Sequence, residues 1–164
     1  RMRKQIKVDQ ARKAVKLSKD AGLTVLTYFM FGNLDETLND MHKTITFALE
    51  LDADYAEFSI TIPYAGTEMY EEALAAGLIP EDYWKDYALA PVPNFSPPRL
   101  IENHASVDQM INLSNEGIRR FYFRPRYIYK QMKSLGSIKE FFRKGRMGFQ
   151  LFTGILRSQS PYTK

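Results

Sequence analysis

The chain has 164 residues, of which 45% are hydrophobic and 26% are charged, a balance typical of an ordinary globular domain. It contains no cysteine, which excludes disulfides, a thiolate nucleophile and a self-contained zinc or iron–sulfur site with cysteine ligands. The two histidines, His42 and His104, lie far apart without a second ligand at metal-binding spacing. No apolar run reaches the roughly 18 residues of a membrane-spanning helix. We therefore expect a cytoplasmic protein and predict neither a catalytic nor a metal-ligating residue.

The net charge of +4 is unevenly distributed along the chain. Residues 1–21 carry eight basic and two acidic groups, residues 22–116 carry three and sixteen, and residues 117–164 carry twelve and one. A basic tail of this density is typical of a surface that meets phosphate, a membrane or an acidic protein. The alternative is that the tail pairs with acidic groups of the same molecule.

The first half of the chain alternates helical and strand patterns. Residues 8–21 have helical spacing. Residues 24–31 are β-branched and aromatic, nearly all apolar and without alternation, which predicts a strand buried on both faces. Thr37, with Asp40 three residues later, predicts the start of a helix that ends near Leu51. Residues 55–62 predict a second strand, and Thr67 begins a third helix that ends at Gly77. This order predicts an α/β fold with a parallel sheet.

Two strands are too few for a parallel sheet, which needs cover on both faces. The chain is therefore predicted to be a piece of a larger α/β architecture, or to complete its sheet through a partner chain or second protomer.

The second half of the chain begins with a long connection, residues 78–105, which contains five prolines and the aromatic residues Tyr83, Trp84 and Tyr87. Two interpretations stay open: the aromatic side chains pin the connection onto the domain, or it forms a substrate lid. Residues 106–164 are predicted to be a basic helical region. One helix begins at Ser106 with Val107, Met110, Ile111, Ser114 and Ile118 on its packed face; Pro125 interrupts it, and a last helix begins at Ser137.

Both predicted strands end in turns that would meet at one edge of the sheet. In α/β sheets and barrels, the carboxyl ends of parallel strands are where ligands bind. Exposed backbone there can hydrogen-bond a flat heterocycle while Met30 or Phe31 packs on its face. Asp35 and Glu36, just beyond the first strand, are interpreted as helix N-terminal acids.

Three segments resemble motifs of radical S-adenosylmethionine (SAM) enzymes. Residues 28–37, YFMFGNLDET, resemble the fifth-strand motif of that family, and residues 58–70, FSITIPYAGTEMY, resemble its sixth strand and following turn. Residues 121–127, FYFRPRY, resemble a C-terminal signature of the branch with a cobalamin-binding domain. That branch includes magnesium-protoporphyrin ester cyclases and hopanoid-modifying enzymes, and the resemblance covers about residues 1–135.

The resemblance implies a fold and cofactors. Residues 1–77 would be two βα units from the second half of a TIM-like (β/α) barrel, and the chain would be a C-terminal fragment of a radical SAM oxidoreductase or methyltransferase. The parent protein would use SAM, a [4Fe–4S] cluster and cobalamin. The C-x-x-x-C-x-x-C cluster loop is absent, so the isolated chain is expected to be inactive. By family analogy, SAM would lie against six residues: Met30, Phe31, Gly32, Ile62, Pro63 and Tyr64.

A different class of function stays open beside the enzyme. Residues 119–157 interleave aromatic residues with arginine and lysine, a pattern found in modules that lie on anionic membranes or bind nucleic acid. The membrane surface is preferred over nucleic acid, because the lipid and porphyrin substrates of the resembling branch would suit it. A third interpretation keeps the α/β fold and assigns another barrel family without SAM.

Overall fold

The computed structural model describes residues 6–79, 81–93 and 101–133. In chain order the elements are α1 (Val8–Asp20), β1 (Leu26–Phe31), α2 (Leu38–Leu51), β2 (Tyr55–Ile60), α3 (Glu68–Ala75), α4 (Tyr83–Leu89), α5 (Val107–Tyr122) and α6 (Pro125–Lys133). The predicted α/β class is confirmed. The predicted last helix after Ser137 lies outside the described residues.

The sheet in the described residues is one parallel pair. Leu26 lies beside Tyr55 at one end of the register, and Phe31 lies beside Ile60 at the other. Side chains alternate between the two faces of each strand, so Phe29 and Phe31 share a face with Phe58. α2 and α5 cover that face and contact each other.

An aromatic stack lies at the centre of the covered face. The Phe58 ring lies 5.4 Å from that of Phe29 and 5.8 Å from that of Phe31, both nearly parallel. Met41 and Ile45 of α2 pack against this stack and are 1% and 0% exposed. Burying one such side chain contributes roughly 1.5–3 kcal/mol, so this cluster stabilises the packing of α2 on the sheet.

The other face of the sheet is open in the described residues, and the prediction that β1 is buried on both faces is wrong there. Leu26, Tyr28 and Tyr55 are 47%, 66% and 44% exposed. The apolar run of β1 specifies side chains suited to burial, but nothing in the described part of the chain covers them.

Helix starts follow the predicted caps. The Thr37 hydroxyl accepts from the Asp40 N–H at the start of α2, and the Ser106 hydroxyl accepts from the Gln109 N–H at the start of α5. The Thr67 hydroxyl accepts from the Tyr70 N–H at the start of α3. These local hydrogen bonds satisfy backbone donors that the helix itself leaves unpaired.

The packed face of α5 differs from the prediction by one residue along the helix. The buried residues are Met110, Leu113, Gly117 and Phe121, whereas Ile111, Ser114 and Ile118 are only half-buried. A Cβ at Gly117 would lie 3.0 Å from the Phe58 ring, so the glycine lets α5 approach the sheet closely. A prediction based on the spacing of apolar residues does not include glycine, and it therefore places the packed face of α5 incorrectly.

Candidate functional site at the carboxyl edge of the sheet

The two strand ends meet at one edge, as the sequence predicted. The Thr61 N–H donates to the Phe31 carbonyl at 2.7 Å, which extends the pairing one residue beyond the strands. The loops after β1 and β2 therefore leave the sheet side by side. We call this region, residues 30–36 and 59–64, the carboxyl edge.

The loop after β1 turns at a glycine with a close neighbour. Gly32 has φ +84°, and a Cβ there would lie 2.8 Å from Met110 Sδ, so a side chain is excluded by conformation and by space. The Glu36 carboxylate then accepts from the Asn33 backbone N–H and side-chain Nδ2, each at 3.1 Å. This carboxylate fixes the turn and the orientation of the Asn33 amide.

Two buried oxygen atoms at the carboxyl edge lack hydrogen-bond partners among the described residues. They are Asn33 Oδ1, just after β1, and Thr61 Oγ1, just after β2. Thr61 is 5% exposed. Since buried polar groups in folded proteins nearly always have a partner, these two oxygens are expected to bind a group outside the described residues.

The segment between α3 and α5 touches both loops of the carboxyl edge. Trp84 Nε1 donates to the Pro63 carbonyl at 3.4 Å, and Asn103 Nδ2 donates to the Leu34 carbonyl at 2.6 Å. The Trp84 ring lies 5.9 Å from the ring of Tyr64. The predicted contact of the aromatic residues with the domain is therefore present, and the connection also contains α4, which the sequence interpretation missed.

Two tyrosines where α3 meets the start of α4, Tyr70 and Tyr83, are not suited to acid–base work near neutral pH. Burial and the hydrogen bond to Asp82, 2.7 Å from the Tyr70 hydroxyl, raise the pKa of Tyr70. Burial, with the nearby Asp82 charge, raises the pKa of Tyr83 to about 12. Both phenols therefore stay protonated, and Tyr70 links α3 to the start of α4.

The six residues predicted to contact SAM all lie at the carboxyl edge, in different environments. Met30 is half-buried on the open face, Gly32 offers backbone, Ile62 is half-buried, Pro63 is buried and Tyr64 is 54% exposed. The Phe31 ring is 0% exposed and packs on Phe58 in the helix-covered core, so that ring does not face the open side. Ligand contact by these residues stays a prediction.

Sequence reasoning did not select Asn33 or Thr61. The available signal was a polar side chain directly after each strand, with Thr61 set between Ile60 and Ile62. That signal is weak, because polar residues commonly follow strands. Burial without a hydrogen-bond partner distinguishes these two oxygens at the carboxyl edge; the Tyr83 hydroxyl and Arg124 Nε share this property elsewhere in the described residues.

The FYFRPRY segment lies at the opposite edge and has a structural role there. The Tyr122 hydroxyl donates to the Ala56 carbonyl at 2.8 Å and accepts from its N–H at 3.1 Å. Arg124 donates to Asp52 Oδ1 at 2.6 Å and to the Leu49 carbonyl at 3.2 Å. These contacts fasten α5 and α6 to the start of β2 and to the end of α2.

Neither a metal-binding group nor a membrane span is found in the described part of the chain. Residues 6–79, 81–93 and 101–133 hold no cluster of three potential histidine, aspartate or glutamate ligands. Within the same residues, no helix has the length and apolar character needed to cross a bilayer.

Comparison with known proteins finds two methyltransferases. The chain is 35% identical over 129 residues to the "uncharacterized methyltransferase" of Pyrococcus horikoshii, a match covering 79% of this chain and 27% of that protein. It is 32% identical over 83 residues to the bacteriochlorophyllide d C-8(2)-methyltransferase of Chlorobaculum tepidum, covering 49% of this chain and 18% of that enzyme. The matches thus span about a quarter or less of each relative. No protein-family model and no solved structure matches the chain.

Proposed function

We propose that this chain forms part of the SAM-binding wall of a radical SAM methyltransferase. The observation that carries the proposal is the pair of buried, unpartnered oxygen atoms, Asn33 Oδ1 and Thr61 Oγ1, at the carboxyl edge. The names of both relatives support SAM as the ligand, because each is a methyltransferase. An adenine or amino-acid group can donate hydrogen bonds to both oxygens.

Residues of the carboxyl edge would bind and orient SAM. Met30 offers a polarizable thioether to a planar ring. Gly32 allows the left-handed turn, against Met110, with which the loop after β1 begins. Asn33, held by Glu36, presents a fixed carbonyl oxygen. Tyr64 and Trp84 would limit access of water from the side of α4.

The chain's own residues fit SAM but do not fit an iron–sulfur cluster. SAM, when bound, supplies the reactive methyl or adenosyl group, and this chain would position it. A [4Fe–4S] cluster needs thiolate ligands, and none of the 164 residues is cysteine. We therefore assign no step of cluster chemistry, and no cobalamin contact, to this chain.

The open face of the sheet would be the interior of a TIM-like barrel. Side chains of Leu26, Tyr28 and Met30 would point into that interior, and further strands would pair with the outer edge of β1. The outer edge of β2 is already bound by α5, through Tyr122 at Ala56 and Ser114 at the Phe58 carbonyl. The further strands would come from the rest of a longer protein, or from a second protomer. The short share of each relative that the chain matches supports the first source.

Methionine methyl NMR tests the SAM site directly. With 13C-labelled methionine methyl groups, titration with SAM should shift the Met30 signal. Because the chain would supply only part of the SAM-binding wall, we expect a weak apparent Kd, on the order of 1 mM. Met30→Leu assigns the signal, and Met132, 58% exposed on α6, is the matched control. A Met30 signal unchanged at 10 times that concentration, or an equal shift at Met132, contradicts the site.

Anaerobic reconstitution tests the assignment of cluster chemistry to other parts of a parent protein. The isolated chain should retain no iron or sulfide and should not cleave SAM. A stable, stoichiometric iron–sulfur cluster on this chain would contradict the proposal, because it would require ligands other than cysteine.

A further inference from the structure

The outward surface where α5 meets α6 carries more positive charge than its neighbours neutralise. A cleft of about 400 Å³ there is lined by Leu49, Asp52, Phe123 and four arginines, Arg119, Arg120, Arg124 and Arg126. Asp52 is the one acidic residue among these lining residues, and Lys19 also contacts it at 3.4 Å. The excess of positive over negative charge in the cleft favours an anionic partner.

The four arginines differ in the ion pairs that they make with acidic side chains. Arg124 is held by Asp52 at 2.6 Å, and Arg120 by Glu116 at 3.0 Å. Arg126 reaches Asp52 only at 3.5 Å with a side chain 83% exposed. Arg119 makes no ion pair within the part of the chain that the structure describes. Arg119 and Arg126 are therefore available to an external anion.

α6 adds an exposed apolar strip beside these arginines. Tyr127 faces the core, with its ring 5.8 Å from that of Phe121. At 100° per residue, Ile128, Tyr129 and Met132 then lie on the outward half of the helix. They are 43%, 69% and 58% exposed. By the same helical geometry, Arg126 and Lys133 border this strip on the side of Tyr129.

We propose that this surface docks on a membrane of anionic phospholipids. Arg119 and Arg126 bind headgroup phosphates, while Ile128, Tyr129 and Met132 enter the boundary between headgroups and acyl chains. A basic border around exposed aliphatic and aromatic side chains is the pattern of helices that lie in the membrane interface. Nucleic acid fits less well, because aliphatic side chains gain little from contact with bases.

Vesicle flotation of the whole chain tests the docking surface. Vesicles of phosphatidylcholine with 30% phosphatidylserine, about the composition range that gives a substantial negative surface potential, are compared with pure phosphatidylcholine at several salt concentrations. The double variant Arg119→Gln/Arg126→Gln should bind the anionic vesicles roughly 25-fold more weakly, since each arginine near such a surface contributes about fivefold. The matched control is Lys13→Gln/Lys16→Gln, which removes the same charge from the exposed side of α1.

A second variant pair separates insertion from simple charge attraction. Tyr129→Ser/Met132→Ser should keep binding at low salt but lose the binding that survives when salt screens the charges. Unchanged thermal unfolding of each variant shows that the fold is retained.

Three results would overturn the proposal. The first is no binding of the wild-type chain to anionic vesicles at low salt. The second is an equal loss in the α1 control. The third is displacement of the chain from vesicles by a 12-nucleotide single-stranded RNA, about the site length of such nucleic-acid binding surfaces, which would identify nucleic acid as the partner.

Discussion

Thr61→Val should stabilise the fold while weakening ligand binding. The Thr61 hydroxyl is buried and has no hydrogen-bond partner among the described residues. Such a group costs about 1–3 kcal/mol relative to a paired or apolar one, and valine replaces the hydroxyl with a methyl of similar shape. We expect the free energy of unfolding to rise by about 1–2 kcal/mol. For a chain of this size, each kcal/mol raises Tm by roughly 2–4 °C.

Urea unfolding measures the gain, with Thr44→Val as the matched control. The Thr44 hydroxyl is half-buried on α2 and donates to the Asp40 carbonyl at 3.1 Å. Losing that bond should leave the free energy of unfolding unchanged or lower it by up to about 1 kcal/mol. The contrast between the two variants isolates the unpaired hydroxyl from the general effect of exchanging threonine for valine.

Destabilisation by Thr61→Val would refute this reasoning. A loss of about 1 kcal/mol or more would mean that the hydroxyl has a partner, such as an ordered water, in the free protein. A stabilised variant with unchanged SAM titration of the Met30 signal would remove Thr61 from the ligand site. A stabilised variant with weaker SAM binding is the expected trade between stability and function.

Three further changes test the local geometry. Gly32→Ala should lower the free energy of unfolding by about 1 kcal/mol more than Gly22→Ala, because both have positive φ but only Gly32 meets a methionine sulfur; equal losses by urea unfolding would contradict the close approach. Tyr122→Phe leaves the Ala56 N–H and carbonyl unpaired and should cost about 1–3 kcal/mol; an unchanged urea midpoint would contradict it. Hydrogen bonds from Lys43 and Thr37 lower the pKa of Asp40 from 3.8 to about 2, so its contribution to stability is present above pH 3.8 and is lost as the pH falls towards 2. Asp40→Asn should therefore flatten the pH dependence of the free energy of unfolding in that range. An unchanged slope would contradict this expectation.

Helix starts could be predicted from sequence because their signals are local. A capping residue and its partner three positions later, as in Thr37 with Asp40, satisfy backbone donors without any distant contact. The parallel order of β1 and β2 was likewise predictable, because a helix lies between them in the chain. The carboxyl edge followed from that order alone.

Features that depend on distant contacts were not predictable. α4 is short, and its start is fixed by Asp82, which accepts from both the Lys85 N–H and the Tyr70 hydroxyl. The packed face of α5 depends on the space that Gly117 leaves for Phe58. The oxygen atoms of Asn33 and Thr61 are buried by the packing around them, which a linear pattern of residue types does not record.

The open face of β1 carries apolar side chains that are suited to burial, but the described part of the chain does not cover them. The side chains of Leu26 and Tyr28 are suited to burial, yet they are about half or more exposed in the described structure. Exposed apolar side chains beside the outer edge of β1, which is unpaired in the described residues, favour association with further strands. A strand added there would satisfy the free backbone groups of β1, and closure of the extended sheet into a barrel would cover the apolar face.

The resemblance to radical SAM enzymes involves two edges with different physical roles. At the carboxyl edge, two of the matching segments carry buried oxygen atoms that have no hydrogen-bond partner among the described residues. At the opposite edge, the third segment binds the backbone of Ala56 through Tyr122 and the end of α2 through Arg124. Those contacts fix the position of the first residues of β2 relative to α2, and hence the position of its last residues along β1. In the described structure the third motif holds β2 and α2 together without contacting the carboxyl edge, so we expect a substitution there to alter SAM binding only together with the stability of the fold.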